Sequence, residues 1–248
     1  MILLLEELSL NALPALHTVL LDGWVLRFAA GYTRRANSVN PLYPARRDLA
    51  QSVLACERAF AGQGLPTVFK LTPVAQPSDL DDFLAARGYA VQARTSVQTL
   101  SLASAPPVHA DPELEIGPAP TPEWLTAFYA LAGIAPRHHP TLARMLTGLV
   151  LLGGFALLRE NGRPLACGLG VVQSGYLGLY DIATAPEARR RGLGRRLVAG
   201  LLAWGRQNGA QTAYLQVMLD NVPARKLYAG LGFHDVYPYW YRVQPESP

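Results

Sequence analysis

Five arginines and two glycines fall within eight residues, Arg189-Arg190-Arg191-Gly192-Leu193-Gly194-Arg195-Arg196. Glycine lets the backbone come close to a bound group and take angles closed to other residues. A helix that begins here leaves its first amide N–H groups unpaired and carries partial positive charge. Together these features make a cradle for an anion such as a pyrophosphate. The flanking arginines add permanent charge and paired donors. Two plainer readings use the same residues: a solvated basic helix start with glycines for packing, or a basic strip for a nucleic-acid backbone. The run is neither a Walker A loop, since no Gly-Lys-Ser/Thr follows, nor a Gly-x-Gly-x-x-Gly fingerprint.

Other reactive groups are sparse. Cys56 and Cys167 lie far apart with no Cys-x-x-Cys partner, so neither a disulfide scaffold nor a structural zinc is expected, and Cys167 sits in an apolar strand as a core residue. Asp220 reads as a turn residue.

The elements that must position the arginine-glycine run can be read on either side of it. Glu123 to Leu131 has Trp124, Phe128 and Leu131 at helical spacing, started by Thr121-Pro122. Phe155 to Leu158 and Pro164 to Val172 form a hairpin around Asn161-Gly162. Gln173-Ser174-Gly175 turns the chain into a third strand, Tyr176 to Thr184. After Pro186 and Gly194, Leu197, Leu201 and Trp204 share the stripe of a helix that stops at Asn208-Gly209. A strand from Thr212 to Met218, a short helix from Pro223 to Leu231 and an aromatic-rich strand from Phe233 to Val243 follow.

In this setting the chain resembles the GNAT superfamily of N-acetyltransferases. That family's acetyl-CoA loop, Gln/Arg-x-x-Gly-x-Gly/Ala, is met by Arg189, Gly192 and Gly194, after a strand that ends shortly before Pro186-Glu187. A second pattern, Asn-x-x-Ala-x-x-Leu-Tyr-x-x-x-Gly-Phe, is met by Asn221, Ala224, Leu227, Tyr228, Gly232 and Phe233. The resemblance covers about Glu113 to Val243. It implies an α/β (α+β) fold with a mixed sheet and acetyl-CoA as co-substrate, with no metal. Backbone groups of Ile182, Ala183 and Thr184 would line the pantetheine arm. Amides of Arg190, Arg191, Gly192, Leu193, Gly194 and Arg195, after Arg189, would hold the pyrophosphate, and Asn221 would cap the short helix beside it. Tyr228 would face the thiolate as its proton donor, with a packed core tyrosine as the competing reading. His138-His139 lies where this family often builds its acceptor pocket, or else on a loop surface.

The general base stays open. Asp181 is the only acid on its strand. Counting back by twos from Thr184 gives Ile182, Tyr180 and Gly178, so a regular strand points Asp181 to the other face. A bulge could re-aim it. Otherwise Asp181 pairs with an arginine, and Tyr180 helps hold a water as the base.

The earlier residues echo this order weakly. Thr67 to Leu71 reads as a strand, Ser78 to Arg87 as a short helix ended by Gly88-Tyr89, and Ser96 to Leu102 as a strand. Trp24 to Phe28 and Arg35 to Val39 suggest a hairpin around Gly31, followed by Asn40-Pro41 and a helix near Leu49 to Phe60. Aligning Gly88-Tyr89 with Gly232-Phe233 makes a duplicated, tandem arrangement the expectation. This part has no Arg-x-x-Gly-x-Gly, and Leu84 stands in the place of Tyr228. Residues 1–102 are therefore expected to form a degenerate GNAT-like unit, 103–112 a Pro-rich linker and 113–248 the catalytic unit.

Composition sets the remaining bounds. Of 248 residues, 50% are hydrophobic and 16% charged, enough for a buried core and against wholesale disorder. The net charge of +4 is too small to imply nucleic acid, which is not expected as a partner. The opening Met-Ile-Leu-Leu-Leu meets Glu6-Glu7, a poor signal peptide, and no run has the ~20 apolar residues of a membrane span. The expectation is a cytoplasmic monomer or homodimer, without membrane partners, acting on a small-molecule or peptide amine. The rival is a non-catalytic module that senses acyl-CoA or binds nucleic acid.

Overall fold

The computed structural model describes residues 1–104 and 111–245. Most of the expected linker, 105–110, lies outside the described residues. The chain forms two compact units: Met1–Ser96 with Tyr237–Pro248, and Val97–Val236.

In the first unit, α1 (Ile2–Ala12), β1 (His17–Leu21), β2 (Trp24–Phe28), β3 (Val39–Asn40), α2 (Leu49–Ala61), β4 (Val68–Leu71) and α3 (Leu80–Ala86) precede β5 (Ala90–Ser101), which continues into the second unit. The second unit holds β6 (Leu114–Gly117), α4 (Pro122–Ala132), α5 (His139–Thr147), β7 (Leu152–Glu160), β8 (Arg163–Gln173), β9 (Tyr176–Thr184), α6 (Leu193–Gln207), β10 (Thr212–Met218) and α7 (Val222–Ala229). It ends in β11 (His234–Val243), whose later residues belong to the first unit.

The first unit's strands pair in the order β1-β2-β3-β4-β11. β3 and β4 are parallel through Val39 and Phe69, and the other pairs are antiparallel. Trp24, Phe69 and Leu71 form one core with Val53 and Phe60 of α2 and Leu84 of α3. Strand alternation sends Lys70 to the opposite face. There its ammonium lies 2.5 Å from Glu6 of α1 and 4.2 Å from the Tyr239 ring centroid. The Tyr237 hydroxyl donates to the same carboxylate at 2.7 Å.

The expected hairpin about Gly31 is present with a shorter second strand: β2 pairs antiparallel with β3, Val25 opposite Asn40 and Leu26 opposite Val39, and Gly31 lies in the connection at φ 71°. On its other side β2 makes a second hairpin with the preceding β1. That turn is Asp22-Gly23, with φ of 49° and 90°. Asp-Gly supplies two left-handed residues in succession, the geometry that suits strand twist.

In the second unit β6-β7-β8-β9-β10 are neighbours in that order. The first four pair antiparallel, whereas β9 and β10 are parallel with α6 as the crossover. The Asn161-Gly162 turn has φ of 52° and 77°. α4 starts with the Thr121 side chain accepting from Trp124 N, and its Trp124 ring meets Phe155 edge-on at 5.2 Å. α6 covers the opposite face. A Cβ on Gly154 would lie 2.8 Å from the Trp204 ring, so glycine there admits the helix.

Candidate functional site

The arginine-glycine run forms the junction of β9 and α6. β9 ends at Thr184, Pro186–Ala188 make one 3-10 turn, and the chain then passes through Arg190 at φ 61° and Gly192 at φ 82°. α6 begins at Leu193, four residues before the first member of the expected stripe, Leu197. The first return bond of the helix runs from Arg196 N to Gly192 O at 3.0 Å. Before it, the backbone N–H groups of Arg190, Arg191, Gly192, Leu193, Gly194 and Arg195 donate to no acceptor among the described residues. A Cβ built on Gly192 would meet nothing within 4 Å. These unpaired donors with open space beside them form a ready anion cradle.

The arginine side chains divide their work. Arg191 pairs with Glu160, and Arg196 is held by Asp111 at 2.9 Å, Glu113 at 2.7 Å and Glu160 at 3.6 Å. Arg195 Nη1 donates to Gly230 O at 2.9 Å. Arg189 and Arg190 remain exposed. The flanking arginines were expected to add charge and paired donors, and the structure shows which of them already have partners within the chain. The chain's own carboxylates and a carbonyl engage three of them, and that secures the shape of the loop.

The loop and α7 meet at Gly194. A Cβ there would lie 3.1 Å from Leu227 Cδ1 and 3.6 Å from Thr184 Oγ1. The absent side chain lets α7 approach the start of α6, and the Arg195–Gly230 bond ties the other side. Asn221 Oδ1 accepts from Ala224 N at 3.2 Å and so caps α7. Tyr228 follows Leu227 and is 8% exposed, with its ring edge-on to Phe233 at 5.9 Å. Burial raises its phenol to about 12.

β9 is not regular. Its pairing with β8 shifts between Cys167 and Leu169, and Asp181 takes φ 52°. This bulge changes the expected face count. Ile182 and Thr184 lie toward α6, because a Cβ on Gly168 would meet both Ile182 and Leu197. Gly178 and Tyr180 lie on the other face, where Gly178 leaves room for Tyr180 and Tyr214. One inserted residue separates what strict alternation would have joined. Asp181 stands at the bulge, half-buried. The Tyr180 hydroxyl donates to the Tyr214 hydroxyl at 2.9 Å in a buried pair.

His138 and His139 lie at the junction of α4 and α5. The His139 ring stacks on Tyr129 with centroids 3.7 Å apart, and its Nε2 is 2.9 Å from Ile134 O. Its contacts fix that junction. Cys56 and Cys167 are free and buried, with thiols pushed up by burial, so neither is an activated nucleophile. Asp220 is exposed, and its carbonyl accepts from Val222 N in the turn before α7. A groove of about 630 Å³ opens beside the loop, with Ala127, Ala130, Leu131, Pro164, Ala185 and Pro186 in its walls. Among the described residues no cluster of His, Cys, Asp or Glu could hold a metal, and no helix is long and apolar enough to cross a membrane.

Glu160, Asp111 and Glu113 were not legible as site residues. They lie far from the loop in sequence, and isolated carboxylates carry no local signal. Tyr214 was hidden for a similar reason, since only the parallel β9–β10 pairing sets it beside Tyr180.

Comparison with known proteins agrees with this arrangement. Residues 1–242 match the family described as "Probable histone acetyltransferase Rv0428c C-terminal". The chain is 29% identical over 243 residues to "Uncharacterized N-acetyltransferase YobR" of Bacillus subtilis (strain 168), covering 97% of each chain. A GCN5-related N-acetyltransferase from Kribbella flavida has the same fold at a TM-score of 0.71 and 19% identity, over 99% of this chain and 96% of that one. A tandem GNAT protein from the clavulanic acid biosynthesis pathway shares the fold at 0.61 and 15% identity, over 98% and 88%. The loop, the short capped helix and these likenesses agree, and the chain belongs to the Rv0428c C-terminal family and is a GNAT N-acetyltransferase.

Proposed function

We propose that the second unit binds acetyl-CoA and transfers its acetyl group to a primary amine of a small molecule, amino acid or peptide, by direct attack in a ternary complex. The run of unpaired amides from Arg190 to Arg195 carries this reading. It suits a pyrophosphate, and Arg189 and Arg190 add charge at its rim. Beyond the bulge, backbone groups of Ile182, Ala183 and Thr184 lead from the cradle along β9 toward the middle of the sheet. Bound acetyl-CoA supplies an activated thioester, and the remaining work falls to the protein.

Two proton tasks follow from the attack. The amine must lose a proton, and the leaving sulfur must gain stabilisation. Asp181 at the bulge takes the first, directly or through a water held by the Tyr180–Tyr214 pair. Tyr228 takes the second. With its phenol raised to about 12 by burial, above the ordinary range of a thiol, Tyr228 is a poor source of a whole proton for sulfur. Tyr228 therefore acts as a hydrogen-bond donor to the developing thiolate, and solvent completes the protonation. The first unit serves as a degenerate partner of the same fold.

The basic-strip reading is disfavoured by the pairing of Arg191 and Arg196 with carboxylates. Acetyl-CoA titration at several salt concentrations tests the choice. Saturable binding, abolished by Gly192→Val, supports the enzyme. Absence of binding, together with steeply salt-dependent DNA affinity, overturns it. A screen of amines for thioester loss then identifies the acceptor.

A further inference from the structure

The two units can be compared within the chain. In α2, Gln63 N and Leu65 N both return to Phe60 O, and Gly64 N to Ala61 O. In α6, Asn208 N and Ala210 N return to Gly205 O, and Gly209 N to Arg206 O. Gly64 and Gly209 are both left-handed, at φ 65° and 85°. The helices therefore superpose residue by residue at one constant displacement. The same displacement sets Asn40-Pro41 on Ala185-Pro186, Arg46 on Arg191, Arg47 on Gly192 and Leu49 on Gly194. The next helices repeat the pattern at a displacement one residue smaller. Tyr89 N returns to Leu84 O and Phe233 N to Tyr228 O, each at 3.0 Å.

The matched loops differ in what their amides meet. In the second unit the Arg191 and Gly192 amides have no acceptor among the described residues. In the first unit the Arg46 and Arg47 amides donate to Asp22 Oδ2, at 2.9 and 2.8 Å. Arg46 Nε approaches Asp22 Oδ1 at 3.4 Å. The Asp22 side chain is only 8% exposed. It is delivered by the β1–β2 turn, and that turn sits hard on the loop. A Cβ on Gly23 would lie 2.6 Å from Pro44 O. The strand ends beyond the loop are bridged too: Gln76 N donates to Pro41 O at 3.0 Å and Trp24 Nε1 to Gln76 O at 2.9 Å.

We propose that the Asp22 carboxylate stands in the first unit where the second unit holds the cofactor's pyrophosphate, so that the first unit is closed to acyl-CoA by its own chain. This rests on the cofactor reading of the second loop. A carboxylate offers the amides the negative acceptor that a phosphate oxygen would. The Arg47 amide, with help from Arg46, holds this carboxyl below the usual carboxylate range against its partial burial. The anionic form is therefore the resident one. Leu49, in place of Gly194, adds a side chain where close backbone approach would be needed.

Amide NMR of the full chain tests both loops at once. In the wild type, acetyl-CoA should shift the Arg191 and Gly192 amides and leave Arg46 and Arg47 unmoved. In Asp22→Gly, which tolerates the left-handed turn, inorganic phosphate should shift the Arg46 and Arg47 amides saturably. Asp22→Asn keeps the turn and removes the charge, and there amide hydrogen exchange at Arg46 and Arg47 should speed up at least tenfold. Wild-type Arg46 and Arg47 amides that follow acetyl-CoA would overturn the proposal. So would a silent Asp22→Gly loop or, if that variant does not fold, unchanged exchange in Asp22→Asn. Failure at Arg191 and Gly192 alone would instead refute the cofactor reading of the second unit.

Discussion

Replacing Tyr228 with Phe isolates one hydroxyl. Burial raises the phenol, and the hydroxyl makes no hydrogen bond among the described residues. The ring keeps its edge contact with Phe233 and its place in the core. Removing a hydroxyl that makes no hydrogen bond among the described residues should leave stability within about 1 kcal/mol. The rate should respond differently. A hydrogen bond to a charged group contributes about 1.5–3 kcal/mol, which is roughly 10- to 150-fold in the transfer step. That is less than the ~10²–10⁴ of a full general acid, because a phenol at about 12 cannot complete transfer to a thiolate. The assay is single-turnover acetyl transfer, which removes product release from the measurement, together with acetyl-CoA binding at equilibrium. The expected pattern is slower transfer with unchanged affinity, the mark of an interaction made in the transition state. A rate within about twofold of wild type, well short of that hydrogen-bond contribution, would remove Tyr228 from the mechanism. A loss above about 10⁴ would refute the hydrogen-bond argument and demand complete proton transfer.

Three further outcomes follow from the structure. Gly192→Val places a β-branched side chain at φ 82° and directs it into the space beside the free amides; it should cost about 1–3 kcal/mol of stability and abolish acetyl-CoA binding, and unchanged affinity by calorimetry in a folded variant would refute the cradle. Lys70→Met strands the buried Glu6 carboxylate and should lower stability by about 3–5 kcal/mol in denaturant unfolding, with most of the loss restored by adding Glu6→Leu; a single variant as stable as wild type would contradict the pairing. Burial raises the Cys56 thiol and the Tyr228 phenol to about 12, and the Cys167, Tyr89 and Tyr241 groups upward as well. The unfolded chain sheds these protons first, so stability should be level below about pH 9 and fall from there toward pH 12; a flat Tm from pH 8 to 11 would refute it.

What the sequence disclosed follows the range of the forces involved. Turns with two left-handed residues, such as Asn161-Gly162, and helices with a cap and stripe, such as Thr121 to Ala132, are written locally and were legible. α1 was not, because its apolar run has no N-terminal cap side chain and a weak polar face. The Asp22-Gly23 hairpin was overlooked although its signal is local, whereas the hairpin about Gly31 on the other side of β2 was legible. The site shows the same division. The two motifs marked the loop and α7, but the bulge at Asp181 depends on pairing with β8, and the Glu160 clamp on Arg191 and Arg196 depends on the sheet bringing distant carboxylates to the loop.

Few residues separate the two helix-start loops in what their amides meet. Helix endings, turn glycines and return bonds recur in both units, so the skeleton does not distinguish them. The difference lies in which groups reach the helix start. In the second unit, Gly194 admits Leu227 and draws α7, with Tyr228, against a loop whose amides stay free. Its arginines are steadied by Glu160, Asp111 and Glu113 at their side chains, which leaves the backbone donors untouched. In the first unit the carboxylate comes to the backbone itself, through Asp22, and Leu84 takes the position of Tyr228. Acids that bind the arginine side chains preserve an anion site, whereas an acid that binds the amides consumes it. The contrast rests on hydrogen-bond geometry at matched positions, and on the reading proposed above it would let one unit bind the cofactor and close the other to it.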